Sequence, residues 1–188
     1  DVLVSLYDGS SALDPVKTGI GGLDDVLGGG LMPGSITVIG ATSSSGKTTL
    51  SLQVANTIAM NGKPVLFVTI EQTPTELVAK SIAWTSSRLT GKKTGHDALT
   101  AVSMRSRLER PRWTLEQNSA MVDACNWYSE HIAQRVRFMH GDERPTVAQI
   151  WNMAELMRAE FGEAPAIFID YLQLLNCGDE RDVRLATD

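Results

Sequence analysis

The sequence predicts an α/β fold, a mostly parallel sheet with helices on both faces, and three observations lead to it. An apolar run at residues 35–39, SITVI, leads through a Ser/Gly loop into a GKT triplet that opens a helical pattern. Two further continuous apolar runs, PVLFVTI at 64–70 and AIFI at 166–169, each stop at an acidic residue, Glu71 and Asp170. Segments of helical spacing lie between them. Unbroken apolar strands, as opposed to alternating ones, suit a sheet covered on both sides.

Residues 1–17 pair a short apolar stretch, VLVSLY, with DGSSALDP, and read as a linker or lead-in to a domain spanning 18–188. Residues 18–34 set a short amphipathic turn (Ile20, Leu23, Val26, Leu27) between glycine clusters, which fits either a flexible lead-in or a compact cap. The run at 35–39 is largely β-branched and lies between Pro33-Gly34 and Gly40, so a buried strand is expected there. Helical spacing follows from 48 to 60 and stops at Asn61-Gly62. After the strand at 64–70, Thr73-Pro74-Thr75-Glu76 supplies an N-cap, a proline for the first turn and an acid, predicting a helix from 75 to about 86.

Residues 87–112 are polar and basic: Arg88, Lys92, Lys93, Arg105, Arg107, Arg110 and Arg112 stand against Asp97 and Glu109. A solvated loop is the plain reading; contact with DNA phosphates or a neighbouring subunit is the other. From 114 to 134 a helix is expected, with Leu115, Met121, Val122, Cys125 and Tyr128 as its core stripe. Residues 136–140 form a short strand. The helix from 147 to 161 turns Ile150, Met153, Ala154 and Met157 inward. The polar tail from 176 to 188 reads as loop.

With 188 residues and 43% hydrophobic content, one domain with a substantial core is expected. A net charge of −5 carries no global basic signature, so contact with nucleic acid would need a local patch or a face built by several subunits. Cys125 and Cys177 lack paired-ligand spacing, and His96, His131 and His140 share no metal spacing. These counts argue against a disulfide framework or zinc site and fit a reducing cytoplasm. No apolar run approaches a membrane span. The first residue is Asp and not Met, from which a fragment of a longer protein is expected.

The chemistry concentrates at three places. In a phosphate-binding loop, backbone N–H groups and the positive end of the following helix hold the phosphates. Here residues Ala41, Thr42, Ser43, Ser44, Ser45, Gly46, Lys47, Thr48 and Thr49 would form that cradle, with Ala41 where the usual pattern has glycine. Lys47 would neutralise the β and γ phosphates of a nucleotide, and the Thr48 hydroxyl would ligate Mg2+. Asp170, at the carboxyl end of its strand, would share the metal directly or through water, at the sheet edge where open α/β folds bind ligands. Phosphoryl transfer to water also needs a group to orient the water. Because Tyr171 and no second acid follows Asp170, Glu71 is the best-placed candidate.

On these residues the chain resembles the RecA-like ATPase domain of hexameric replicative DNA helicases of the DnaB type. The resemblance runs from residue 18 to about 175 and is most specific in the loop 41–48, with Ala at its first position, in GKPVLFVTI ending at Glu71, and in IFIDYLQLL. It implies a RecA-like P-loop NTPase that binds ATP and Mg2+ between subunits of a homo-hexamer around single-stranded DNA, hydrolysing ATP to translocate and unwind duplex during replication. Primase and a helicase loader are partners it brings with it. It also implies that Lys47 and Thr48 contact phosphate and magnesium, that Glu71 is the catalytic carboxylate and that Asp170 is the metal-site acid. The lead-in TGIGGLDDVLGGGLMPGS looks closer to the KaiC and RadA branches of the same superfamily, whose ATPases assemble on DNA or protein partners without unwinding. A further strand with a γ-phosphate sensor, DNA-facing loops and basic residues reaching a neighbour's site would follow IDYLQL in the helicases. Its absence would leave a gap in the sheet, and a truncated C-terminus is therefore expected.

Overall fold

The computed structural model describes residues 14–42, 44–92, 98–140 and 145–170. The chain divides into two compact units, Asp1–Lys47 and Thr48–Asp188.

In the first unit the helix α1 (Gly21–Val26) is held by side chain and backbone together. Asp24 accepts hydrogen bonds from the Thr18 N–H at 2.8 Å, the Thr18 hydroxyl at 2.7 Å and the Gly19 N–H at 3.2 Å. The Thr18 hydroxyl, and after it the Thr18 N–H, hold the Asp24 carboxyl below its ordinary pKa. Val16 and Leu31 close the segment with two backbone hydrogen bonds of 2.8 Å. Gly30 permits that closure: its φ is +142°, and a Cβ there would lie 2.4 Å from the Val16 carbonyl oxygen. Residues 18–34 are thus a folded piece, which favours the compact reading of the glycine-rich lead-in.

The strand expected at 35–39 does not form. Ile36 and Val38 are 92% and 81% exposed, and residues 36–40 make no backbone–backbone hydrogen bond among the described residues. A β-branched run becomes a buried strand only when a neighbouring strand takes up its N–H and C=O groups, and none does among the described residues.

The second unit begins in the first turn of α2 (Lys47–Met60). It continues through β1 (Val65–Thr69), α3 (Pro74–Thr90), α4 (Ala101–Arg105), a 3₁₀ turn at Arg110–Arg112, α5 (Leu115–Tyr128), a π-helical turn at Ser129–Ala133, β2 (Val136–His140), α6 (Val147–Phe161) and β3 (Ala166–Asp170). The three strands form a parallel sheet in the order β2-β1-β3. Central β1 is VLFVT, with every residue buried, as its unbroken apolar run requires. Register aligns Val65 with Val136 and Ala166, and Thr69 with His140 and Asp170.

The two faces of the sheet follow from that register. Leu66 and Val68 point to one side and pack with Ile150 and Met157 of α6, with Met153, Ala154 and Ile169 around them, the apolar face read from the helical spacing. Each of the buried side chains Leu66, Val68, Ile150 and Met157 contributes roughly 1.5–3 kcal/mol by leaving water. On the other side Phe67 stacks on Phe168 at 5.8 Å between ring centroids and meets Phe138 at 6.1 Å.

Four of the helices begin on the same device. The side chains of Thr73, Thr100, Thr114 and Thr146 each accept a hydrogen bond from the third N–H of the helix, and the side chain of that third residue accepts one from the threonine N–H. Gly91 and Gly162, at φ +73° and +79°, end α3 and α6. A buried pair joins α2 to α3: Asn56 Nδ2 donates to Ser81 Oγ at 2.9 Å, and Ser81 Oγ lies 3.2 Å from Asn56 Oδ1.

Three expectations need correction. Helix α3 runs to Thr90 and not to about 86, because the segment has no breaker before Gly91. Residues 98–112 carry a short helix and a 3₁₀ turn, and Arg105 pairs with Glu76 at 2.8 Å, so this part of the basic stretch is more structured than a solvated loop. In α5 the expected core stripe holds only in part: Tyr128 is buried and Met121 and Cys125 are half-buried, but Leu115 and Val122 are 91% and 57% exposed, and Ala124, outside the stripe, is buried. Helix α5 packs against α3, which sets the buried face by that contact and not by the apolar residues alone.

Candidate functional site

The loop before α2 is built as a tight Ser/Gly turn. Ser45 donates its hydroxyl to the Thr42 carbonyl at 2.7 Å, and Ser44 and Gly46 adopt positive φ, 60° and 93°. For Gly46 that backbone is inexpensive; a side chain there would be strained. Lys47 folds back over the turn, donating from Nζ to the carbonyls of Ala41 at 2.9 Å and Thr42 at 2.8 Å. Its ammonium therefore lies on oxygen acceptors of the loop itself. Thr49 is exposed in the first turn of α2, and Ser43 lies outside the described residues.

At the head of the same helix, Thr48 Oγ1 donates to Asp170 Oδ2 at 2.6 Å. Asp170 is the last residue of β3 and is 9% exposed. Level with it on the register stand Thr69 and His140, so this row of three residues forms the carboxyl edge of the sheet. His140 Nδ1 lies 3.2 Å from the Thr69 carbonyl and His131 stacks on Trp127 at 4.5 Å, so both histidines have structural contacts.

Glu71 follows β1 by two residues, in the bend beyond Thr69, and is exposed. Among the described residues its carboxylate has no hydrogen-bond or ion-pair partner. It thus leaves the sheet at the edge to which β3 delivers Asp170, as the two strand ends predicted. Tyr171, Leu172 and Gln173 lie outside the described residues, as do His96 and Cys177; Cys125 is a free thiol whose pKa burial pushes up.

Two polar contacts near Glu71, Lys80 with Gln72 and Arg105 with Glu76, were not legible in the sequence. Lys80 Nζ donates to Gln72 Oε1 at 2.8 Å, and Glu76 accepts from both the Thr73 N–H at 3.1 Å and Arg105. The Thr73 N–H first, and then Arg105, keep the Glu76 carboxyl below its ordinary pKa. The only clue was that a helical side chain leans toward its own N-terminus, which turns Lys80 back toward the bend.

The donor set suits magnesium. A threonine hydroxyl and a carboxylate, 2.6 Å apart, are both hard oxygen donors, and Mg2+ is held by one or two such groups with water and substrate phosphates completing its shell. No group of three or more His, Cys, Asp or Glu side chains that could hold a metal occurs among the described residues. A dedicated all-protein metal cage is therefore not what these residues build.

Parallel strands that end on acids at one edge, and a Ser/Gly loop that leads into a helix, are features of a RecA-like α/β domain of the P-loop kind. Residues 15–187 match the family of the DnaB-like helicase C-terminal domain, and the chain belongs to that family. Solved structures share the fold. One titled "The Structure Of A DnaB-Like Replicative Helicase And Its Interactions With Primase" superposes at TM-score 0.78 with 21% identity, covering 99% of this chain and 42% of that one. Another, titled "ATPase Domain of G40P", gives TM-score 0.77 with 22% identity over 96% of this chain and 59% of that one. Curated relatives match over shorter stretches. The circadian clock oscillator protein KaiC of Nostoc sp. (strain PCC 7120 / SAG 25.82 / UTEX 2576) is 38% identical over 82 residues, 42% of this chain and 16% of the relative. The DNA repair protein RadA of Mycobacterium tuberculosis (strain CDC 1551 / Oshkosh) is 47% identical over 58 residues, 31% of this chain and 12% of the relative.

Proposed function

We propose that residues 18–188 are the motor domain of an ATP-dependent DNA helicase, with 1–17 as its lead-in, hydrolysing ATP to translocate on single-stranded DNA and unwind duplex during replication. The observation that carries the reading is the meeting of Thr48 with Asp170 in a chain of the DnaB-like family.

The roles follow from the chemistry of each group. Backbone N–H groups of residues 41–49 and the head of α2 bind the phosphates, and Lys47 exchanges its carbonyl partners for phosphate oxygens. Thr48 and Asp170 hold Mg2+, which when bound neutralises charge on the phosphate oxygens. Glu71, which has no hydrogen-bond or ion-pair partner among the described residues, accepts a hydrogen bond from the attacking water, aligns its lone pair with the terminal phosphorus and takes the proton as the P–O bond to ADP breaks. Lys47 then contributes to catalysis as well as binding, by stabilising charge on the transferring group.

Single-stranded DNA and further copies in a homo-hexamer are the proposed partners, with ATP sites between subunits and a cytoplasmic setting. One structural neighbour was solved for its interactions with primase, which makes primase a partner to test alongside a helicase loader. No helix among the described residues is long and apolar enough to cross a membrane.

A second reading, a KaiC- or RadA-like ATPase that assembles on partners without unwinding, is favoured by the matches to those relatives. The two are separated by measuring ATP hydrolysis with and without single-stranded DNA, then unwinding of a forked duplex. Stimulation with ATP-dependent unwinding supports the helicase reading; stimulation or assembly with an intact fork supports the second.

A further inference from the structure

The bend that carries Glu71 is fixed at its far side. Thr69, the last residue of β1 and fully buried, donates its hydroxyl to the Gln72 carbonyl at 2.9 Å and accepts from the Gln72 N–H at 3.3 Å. The same glutamine presents its side-chain oxygen to Lys80 Nζ at 2.8 Å. Gln72 is therefore tied through its N–H, its C=O and its side chain, to the end of β1 and to α3. Glu71 precedes it directly and, among the described residues, has no hydrogen-bond or ion-pair partner of its own. The direction of the Glu71 carboxylate then depends on a backbone held from residue 72.

Lys80 is itself well supported. It lies in the second turn of α3, whose start is locked by the Thr73–Glu76 capping box, and it is half-buried. Glu76, which also pairs with Arg105, lies close enough to Lys80 to feel its charge. The lysine thus transmits the position of a rigid helix to a polar loop, the arrangement by which supporting groups preorganise a reacting one.

We propose that Gln72 and Lys80 are positioning residues for Glu71, fixing the bend from which its carboxylate meets the attacking water. This rests on the reading of Glu71 as the water-orienting carboxylate. Neither residue touches the reacting atoms; both act through the backbone of the bend. Loss of the Lys80–Gln72 contact should therefore slow the chemical step and leave nucleotide affinity intact.

The test compares Lys80→Met, Lys80→Arg, Gln72→Ala and Glu71→Gln in the purified protein. Each is measured for kcat and KM of ATP hydrolysis, for affinity toward a fluorescent ATP analogue, and for Tm. The expected result is a fall in kcat of about tenfold or more for Lys80→Met and Gln72→Ala, since small misplacement of a reacting group is costly. KM, analogue affinity and Tm should stay near the parent, and Lys80→Arg should recover most of the rate. If one variant fails to fold, the other carries the test, because the two cut the same contact from opposite ends. Parent-like kcat in the folded variants, or a loss matched by lost affinity, overturns the proposal while an inactive Glu71→Gln leaves the catalytic reading standing. Undiminished turnover in Glu71→Gln removes that reading and the proposal with it.

Discussion

Thr48 and Asp170 are 122 residues apart in sequence, yet the threonine hydroxyl donates to the aspartate carboxylate at 2.6 Å. The contact joins the head of α2 to the end of β3. Asp170→Asn preserves the shape and still accepts from Thr48, so the fold should survive while the negative charge proposed to hold the metal is lost. The Mg2+ concentration giving half-maximal ATP hydrolysis should rise by about tenfold or more, with Tm close to the parent. A magnesium titration of ATPase activity checks this; an unchanged midpoint would remove Asp170 from the metal site.

The buried pair Asn56–Ser81 predicts an asymmetry. Asn56→Ala leaves the Ser81 hydroxyl without its partner at a site 0% exposed, and should cost about 1–3 kcal/mol in chemical denaturation. Adding Ser81→Ala removes the stranded hydroxyl and should recover part of that loss. Additive losses in the double variant would show that the two side chains act independently.

Tyr128 predicts a pH dependence. It is 6% exposed, and burial pushes its phenol up to about 12 from 10.0. A raised folded value favours the protonated form, so the contribution to stability is complete below pH 10 and is lost as pH climbs from 10 through 12. Between those values the parent should lose more stability than Tyr128→Phe. Parallel stability curves for the two proteins would contradict the assignment.

How much of this could be read beforehand depends on which interactions decide each element. The strand β1 and the α6 face of Ile150, Met153, Ala154 and Met157 were legible, since an unbroken apolar run and a 3.6-residue period constrain burial directly. Residues 35–39 carry the same β-branched signal as β1, but composition does not say whether a neighbour is present to accept the hydrogen bonds. In α5 Tyr128 was legible as core, but the apolar positions Leu115 and Val122 misled, because the partner helix α3 selects the face that also bears Ala124.

Motif spacing put Thr48 at a helix head and Glu71 and Asp170 at the carboxyl edge of the sheet, where the structure has them, for loops and strand ends occupy fixed places in parallel sheets. The side-chain partners were another matter. That Lys47 rests on the carbonyls of Ala41 and Thr42, and that Lys80 reaches Gln72, depend on rotamers and on helix placement that no spacing encodes.

The most direct test of the account is Glu71→Gln, measured for both nucleotide binding and turnover. The substitution keeps the size of the side chain and removes its ability to take a proton. The account predicts that affinity for a fluorescent ATP analogue stays within about twofold while ATP hydrolysis falls by about a hundredfold or more, the scale expected of a lost general base. Hydrolysis at the parent rate, with binding unchanged, would contradict it.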